Sequence, residues 1–262
     1  MREMASSDPV PAEGNVDGTQ TIRRAAAMLR RIGQSNSQGV GLSTLCDALQ
    51  LSRSTTHRIL KCLVDEGLVR HETDRRRYVV GRLTYELGLA VTPDALEIAR
   101  WRPVVDRVAR RTGVTSYLMS RNGIEATCVL KTEGNSVIRV IPVDVGQRRF
   151  LGVGAGSTAL LAALDPETSS RIMETVAPLL RDYPGLNEEV MRELVDDARR
   201  TGFVVSRSNV VQDVIGIGMA IPEPGGTPSL ALSIAALNSQ TNDRLIDGWK
   251  HIIMQEIQEA LS

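Results

Sequence analysis

The chain has 262 residues, enough for two domains, and its 42% hydrophobic and 24% charged residues are ordinary for a folded water-soluble protein. It has no run of about 18 apolar residues to span a membrane, and Cys46, Cys62 and Cys128 are too few and too scattered for a disulfide framework or a CxxC zinc site. The formal net charge of zero is divided unevenly, with +6 over residues 21–81, −3 over 1–20 and −3 over 82–262, so only the first of these segments is suited to a polyanion.

Residues 1–18, MREMASSDPVPAEGNVDG, lack the apolar stretch of a signal peptide and read as a polar, disordered tail, which with the scattered cysteines points to the cytoplasm. In TQTIRRAAAMLRRIG, Ile22, Ala25 or Ala26, Leu29 and Ile32 recur at helical spacing. A short helix follows in GLSTLCDAL, with Ser43 as its cap and Leu45, Ala48 and Leu49 as its apolar face. After a turn at Gln50 and Leu51, Ser52 caps a further helix that stops at Gly67.

That last helix has two faces. Thr56, Ile59, Leu60 and Leu63 recur at i, i+3, i+4 and i+7 and point inward. Arg53, Ser54, His57, Arg58 and Lys61 share the opposite face. Most charged helix faces are simply solvated, but a short helix, a turn and a helix led by Ser and Arg is the arrangement that enters the DNA major groove. Arginine can pair bidentately with guanine, and Ser or Thr reaches bases or phosphates. LVRH and RYVVG then read as two strands of a hairpin, with Arg75, Arg76 and Arg77 at its tip. Three adjacent arginines repel one another unless phosphates or a narrow minor groove relieve them.

From Thr19 to about Val91 the chain resembles the winged helix-turn-helix domain of IclR-type bacterial transcriptional regulators. The resemblance rests on LSTLCDALQLSRSTTHRILKCLVDEGLVR, the wing and YVVGRLTYELG. It continues through WRPVVDRVARRTGVTSYL, GQRRFLGVGAGSTALLAAL, RRTGFVVSRSNVVQDVIGIGMAIP and PSLALSIAAL, which look like landmarks of the family's GAF-like effector-binding domain. It implies an α+β protein: a tail at 1–18, a winged helix-turn-helix at 19–81, a linker helix at 82–93 and a GAF-like domain at 94–262. It also implies a dimeric or tetrameric DNA-binding regulator that responds to a small organic molecule. Ser52, Arg53, Ser54, Thr55, His57, Arg58 and Lys61 then enter or flank the major groove, and Arg75, Arg76 and Arg77 reach the adjacent backbone or minor groove.

Read on its own, the C-terminal part agrees with an α+β layered domain. Residues 82–112 are mostly helical, broken near Pro93, with Leu83, Leu87 and Val91 as an apolar stripe that serves either packing within one chain or dimerisation. VTSYLMS and IEATCVLK form a hairpin around Asn122-Gly123. VIRVIPV adds a third strand, GIGMAIP and SLALSIAAL two more, and helices fall near 155–164, 187–201 and 241–261.

In LGVGAGSTALLAAL three glycines lead into an apolar helix whose N-terminal amides attract anions. No GK[ST] follows and Ser157 stands where GxGxxG needs a glycine, so a nucleotide site is not expected. Close strand–helix packing is one reading; a pocket for a carboxylate-bearing effector is the preferred one. The family resemblance implies backbone contacts at Gly154 and Ala155, with Val137, Val140 and Arg148 on one side and Ser206, Val214, Gly216, Ser233 and Ala235 on the other. Asn209 and Asp213 add polar contacts. Where the family often has a histidine the chain has Gly152. In place of a common acid it has Ser206, in place of Cys or Ser it has Gly216, and in place of Ser it has Ala235. These departures imply a roomier, less polar pocket for a larger or partly aromatic acid, with Arg148 or Arg149 as countercharge.

His57, His71 and His251 fall in separate elements, Cys128 sits mid-strand without a base nearby in sequence, and no GxSxG occurs. No enzyme, metal or cofactor is therefore expected. The alternative is a GAF-type sensor whose helix-turn-helix meets a protein partner rather than DNA.

Overall fold

A computed structural model of the chain describes residues 17–35, 38–90, 92–136 and 140–262, with side chains described outside 17–18 and 92–96. They form two compact units, one within residues 17–90 and one within 92–262.

In the first unit α1 (Asp17–Gly33), α2 (Leu42–Leu49) and α3 (Arg53–Asp65) pack together, followed by the hairpin β1 (Val69–Glu72) and β2 (Arg77–Val80) and by α4 (Arg82–Leu89). Their shared core is Met28, Ile32, Val40, Leu45, Ile59, Leu60, Leu63, Val69 and Tyr78. Val40 also exchanges both backbone hydrogen bonds with Tyr78 at 2.9 Å, which adds a one-residue third strand to the wing. Two sequence-based placements need correction. Ser43 lies inside α2, and Gly41 occupies its N-cap without a side-chain bond. The buried stripe of α1 runs through Met28 and Ile32, while Ile22 is 71% exposed, because 3.6-residue periodicity does not reveal where a neighbouring helix begins to cover it.

The helical stretch after the wing is not continuous: α4 ends at Leu89 and α5 (Thr92–Thr112) starts anew. The end of the expected apolar stripe, Val91, lies outside the described residues, and Leu87 is exposed.

In the second unit β3 (Thr115–Asn122), β4 (Glu125–Thr132), β5 (Arg148–Phe150), β6 (Val204–Arg207), β7 (Val214–Ala220) and β8 (Leu230–Leu237) form one antiparallel sheet of order β5-β4-β3-β8-β7-β6. Strand alternation gives the sheet two apolar faces. Leu118, Leu130, Ile215, Ile217, Leu232 and Ile234 bury one face under α5 and α9 (Asp243–Leu261). Tyr117, Met119, Ala126, Cys128, Ala231 and Ala235 bury the other under α6 (Ala155–Ala162), α7 (Pro166–Val176) and α8 (Glu188–Thr201). The expected strand over VIRVIPV is not formed in its described part. Val140–Val143 is irregular, residues 137–139 lie outside the described residues, and β5 takes the edge next to β4. Pro142, which has no N–H to give a ladder, accounts for part of this.

A buried ion cluster ties the outer helices together. Glu256, 2% exposed, accepts from Arg111 at 2.9 Å and from Arg107 at 2.5 Å, joining α9 to α5. Burial alone raises its pKa, but the bonds from Arg111 and Arg107 outweigh that and hold the carboxyl below its ordinary range.

Candidate functional site

The first site is the outer face of α3. Three residues, Gln50 to Ser52, join α2 to α3, and Gln50 takes a left-handed conformation (φ 51°) that turns the chain sharply. Ser52 is the N-cap of α3: its Oγ accepts from the Thr55 N–H at 3.2 Å and donates to Thr55 Oγ1 at 2.9 Å, with Ser54 Oγ 3.1 Å away. A cluster of hydroxyls thus crowns the positive end of the helix. Thr56, Ile59, Leu60 and Leu63 are buried as the periodicity requires, and Arg53, Ser54, His57, Arg58 and Lys61 are exposed. Thr55 is half-buried.

The wing turn spans Thr73–Arg76, closed by the Arg76 N–H on the Thr73 carbonyl at 3.3 Å, with Arg76 itself left-handed (φ 51°). Arg75 and Arg76 are exposed on it. Arg77 begins β2, and its Nη1 donates to the Gly39 carbonyl at 3.0 Å, so it braces the wing against the loop before α2. A surface groove runs between this wing and α2, bordered by Ser43, Arg53, His71, Thr73 and Arg76. Among the described residues no carboxylate pairs with Arg53, Arg58, Lys61, Arg75 or Arg76.

The second site is a small cavity on the α6 side of the larger sheet. Its shape comes from the glycine-rich turn. Gly154 takes φ +89°, ψ 157°, a conformation open to glycine alone, and sends the chain straight into α6. The helix can then lie on the sheet because Gly218 of β7 has no side chain: a Cβ there meets the Ala155 carbonyl oxygen at 2.5 Å. No side chain caps α6, so the amides of its first turn lack intrahelical partners and meet the cavity at Ala155, Gly156 and Ser157. Strand–helix packing and an anion-receptive turn are therefore both present, from different glycines.

Of the sequence-based pocket residues, Gly154, Ala155, Ser206, Val214, Gly216, Ser233 and Ala235 line this cavity. Val137 lies outside the described residues. Val140 is set back from the lining, its carbonyl accepting the Tyr117 hydroxyl at 3.0 Å. Arg148 does not line the cavity, whereas Arg149, the other countercharge named, does. The two alternate on β5, so they face opposite sides of the sheet. Arg148 donates to Glu125 at 3.1 Å, away from the cavity, while Arg149 stands opposite buried Ala126 and lines it. Asn209 and Asp213 do not line the cavity; they hold the loop that does. Asn209 accepts from Ser206 at 3.1 Å and donates to the Gly185 carbonyl at 3.1 Å, and Asp213 accepts from Ser239 at 2.8 and 2.6 Å.

Tyr117, Met119, Pro142, Val143, Val153, Val210 and Val211 complete much of the wall and were not foreseen. For Tyr117 and Met119 the period-2 pattern of β3 was a usable signal; for the loop residues there was none. Burial raises the Tyr117 phenol far above its ordinary value, so it acts as a hydrogen-bond donor. Burial likewise pushes the Cys128 thiol up to about 12, which makes it inert. Among the described residues no group of His, Cys, Asp and Glu could hold a metal ion, and no helix is long and apolar enough to cross a membrane.

Comparison with known proteins matches a family model to each of the two units. The model of the IclR helix-turn-helix domain matches residues 21–73, and that of the bacterial transcriptional regulator IclR C-terminal region matches residues 94–260. The HTH-type transcriptional repressor AllR of Escherichia coli (strain K12) is 28% identical over 238 residues, covering 87% of this chain and 84% of its own. The glycerol operon regulatory protein of Streptomyces coelicolor is 27% identical over 223 residues, covering 82% and 84%. Among solved structures, an IclR transcriptional regulator from Alicyclobacillus acidocaldarius superposes with a TM-score of 0.75 at 20% identity, covering 92% of this chain and 97% of its own. An IclR homologue from Microbacterium hydrocarbonoxydans, complexed with 4-hydroxybenzoate, superposes at 0.71 and 20% identity, covering 92% and 98%. These relatives are regulators of transcription rather than enzymes, and this chain belongs to the IclR family of DNA-binding transcriptional regulators.

Proposed function

We propose that the protein reads an operator through α3 and the wing, and that a small organic acid in the cavity of residues 91–262 modulates this binding. The observation that carries the first half is the face of Arg53, Arg58, Lys61, Arg75 and Arg76, which has no carboxylate partner among the described residues. Five unneutralised cations on one helix face and the wing that follows gain most from a polyanion, whose counterions they release. In this reading Ser52, Ser54 and Thr55 meet phosphate, while Arg53, His57, Arg58 and Lys61 lie along the groove. Arg77 contributes by bracing the wing rather than by direct contact.

Two copies are needed to read a roughly palindromic site. The exposed apolar side chains of α4, Tyr85, Leu87 and Leu89, offer a surface for such a homodimer, which a tetramer can extend. The protein acts in the cytoplasm, where its DNA is. The acid is supported by the uncapped turn of α6, by Arg149 and by the structural neighbour that holds an aromatic carboxylate. It acts by binding two arrangements of the DNA-reading modules unequally. The relatives do not favour a helix-turn-helix that meets a protein partner instead.

The test is fluorescence anisotropy of the full chain on operator and unrelated duplexes over a salt series. Affinity should fall steeply with salt, and Arg75→Ala should lower the slope of log affinity against log salt by about 1. Arg58→Ala should cost about 1–3 kcal/mol and relax preference at one base position. Salt-independent binding, or none to any duplex, refutes this reading.

A further inference from the structure

The chain has three histidines, His57, His71 and His251. His71 stands on β1 of the wing. Its ring stacks on that of Tyr78, the residue opposite it on β2, with centroids 4.6 Å apart and planes at 28°. Tyr78 is buried, so the exposed imidazole lies on a fixed platform. Both ring nitrogens lack a hydrogen-bond partner among the described residues. A side chain held still with two free polar atoms loses little entropy when a partner arrives.

The ring borders the groove between the wing and α2, together with Ser43, Arg53, Thr73 and Arg76. Neither arginine has a carboxylate partner among the described residues. The remaining charges on the surrounding elements turn elsewhere. On β1, Arg70 and Glu72 bond each other at 3.0 Å and alternate with His71, so they lie on the other side of the strand. On β2, Arg77 is bonded to the Gly39 carbonyl. Asp74 and Arg75, on the wing turn, do not border the groove, and α2 brings only the uncharged Leu42 and Ser43 to it. Two fixed cations, a titratable ring and two hydroxyls therefore meet there with no carboxylate among the described residues.

That set suits a tetrahedral oxyanion, to which arginine and imidazolium give charge-assisted bonds and the hydroxyls neutral ones. Arg53 is the first residue of α3, so the groove opens beside the start of that helix. The anion that an operator delivers at such a place is a backbone phosphate flanking the major groove.

We infer that this groove seats one DNA backbone phosphate and that His71 holds it as an imidazolium, so that binding takes up a proton. This rests on the reading of α3 and the wing as the operator-binding face, and it adds a residue and a pH dependence to that face. The neutral ring gains one proton from solvent, and the new N–H donates to a phosphate oxygen. Histidine changes charge between about pH 5 and 8, and only its charged form makes the ion pair. Affinity therefore rises as pH falls, by at most about tenfold per pH unit for one proton.

A phosphate contact carries no sequence information, so the probe is a mixed-sequence duplex of about 30 base pairs at low, constant ionic strength. Fluorescence anisotropy of the full chain is read at about pH 6 and pH 7.5, on either side of much of the histidine range. Wild-type affinity should fall at least about threefold from the lower to the higher pH. His71→Gln should reduce that change to less than about 1.5-fold, and His71→Arg, a permanent cation, should keep the low-pH affinity at both values. His57→Gln should leave the pH dependence in place. Should His71→Gln fail to fold, wild type, His71→Arg and His57→Gln still decide. A flat wild-type response, a pH dependence that survives in His71→Arg, or one that disappears in His57→Gln overturns the phosphate seat while leaving DNA binding standing. No binding to the duplex at either pH removes both readings together.

Discussion

Adding one methyl group at Gly218 measures how closely α6 lies on the sheet. The new Cβ would meet the Ala155 carbonyl oxygen at 2.5 Å, the Ala155 carbonyl carbon at 2.6 Å and the Gly156 nitrogen at 2.9 Å. Non-bonded carbon prefers about 3.5–4.0 Å, so each contact is short by roughly 1 Å. All three neighbours are backbone atoms, so no rotamer change relieves them and α6 has to rise from β7. That lift loosens the packing of buried Ala159, Leu160 and Leu161 along the helix. Overpacking costs about 1–3 kcal/mol, and a clash of backbone against backbone belongs at the top, at about 3 kcal/mol. For a unit of this size each kcal/mol moves the melting temperature by roughly 2–4 °C, so Gly218→Ala should lower it by about 6–12 °C. The control is Gly248→Ala in the same unit, at an exposed position of α9, where an added Cβ meets nothing within 4 Å. There alanine gains about 1 kcal/mol of helix propensity and should raise the melting temperature by about 2–4 °C. Scanning calorimetry of the full chain reads both. A Gly218→Ala protein melting within about 2 °C of wild type, or a Gly248→Ala protein falling as far as Gly218→Ala, refutes the packing described.

Glu256→Gln leaves Arg107 and Arg111 without their shared carboxylate. Because the two arginines are 37% and 38% exposed, the cost lies below that of a fully buried pair, at about 2 kcal/mol near neutral pH. The folded carboxyl titrates below its ordinary 4.5, so this stability is present above that value and is lost as pH falls through the folded pKa. Urea titrations at several pH values should show the gap between wild type and variant closing as pH falls through the folded pKa of Glu256; a constant gap refutes the charge-based account. Thiol labelling at pH 8 should modify exposed Cys62 rapidly and leave Cys128 untouched until denaturant is added, since burial pushes the Cys128 thiol up to about 12. Equal labelling rates in the native protein would show that β4 opens readily.

The parts of the fold legible in the sequence were those where one face is wet and the other dry. In α3 the split between Thr56, Ile59, Leu60 and Leu63 and the exposed cationic face follows directly from 3.6-residue spacing. The hairpin of β3 and β4 was legible from Asn122-Gly123, and the structure pairs Asn122 with Glu125 around it. Helix α7 went unseen although Asp165 caps it and Pro166 starts it, a usable signal hidden by the polar PETSS run. Arg149 could not be told from Arg148, because a three-residue strand has no pattern of its own and its facing is set by register against β4. The cavity floor was legible through family resemblance, whereas the wall from Pro142, Val143, Val210 and Val211 comes from irregular segments, where spacing carries no information about direction.

The floor of the cavity is paved with Ala155, Gly216, Ser233 and Ala235, among the smallest side chains available. Gly216 differs from Gly218 in what surrounds it: a methyl there meets first the Ala155 methyl at 3.1 Å, a side chain and not a helix backbone. A methyl at Gly216 therefore asks α6 to give by a few tenths of an ångström, far less than one at Gly218. Gly218 is held fixed by the architecture, and Gly216, two residues away on the same strand, is held less tightly. The core that carries α3, from Met28 to Tyr78, shares no residue with that floor. The lining of the cavity can thus change by single substitutions without touching the core that carries α3.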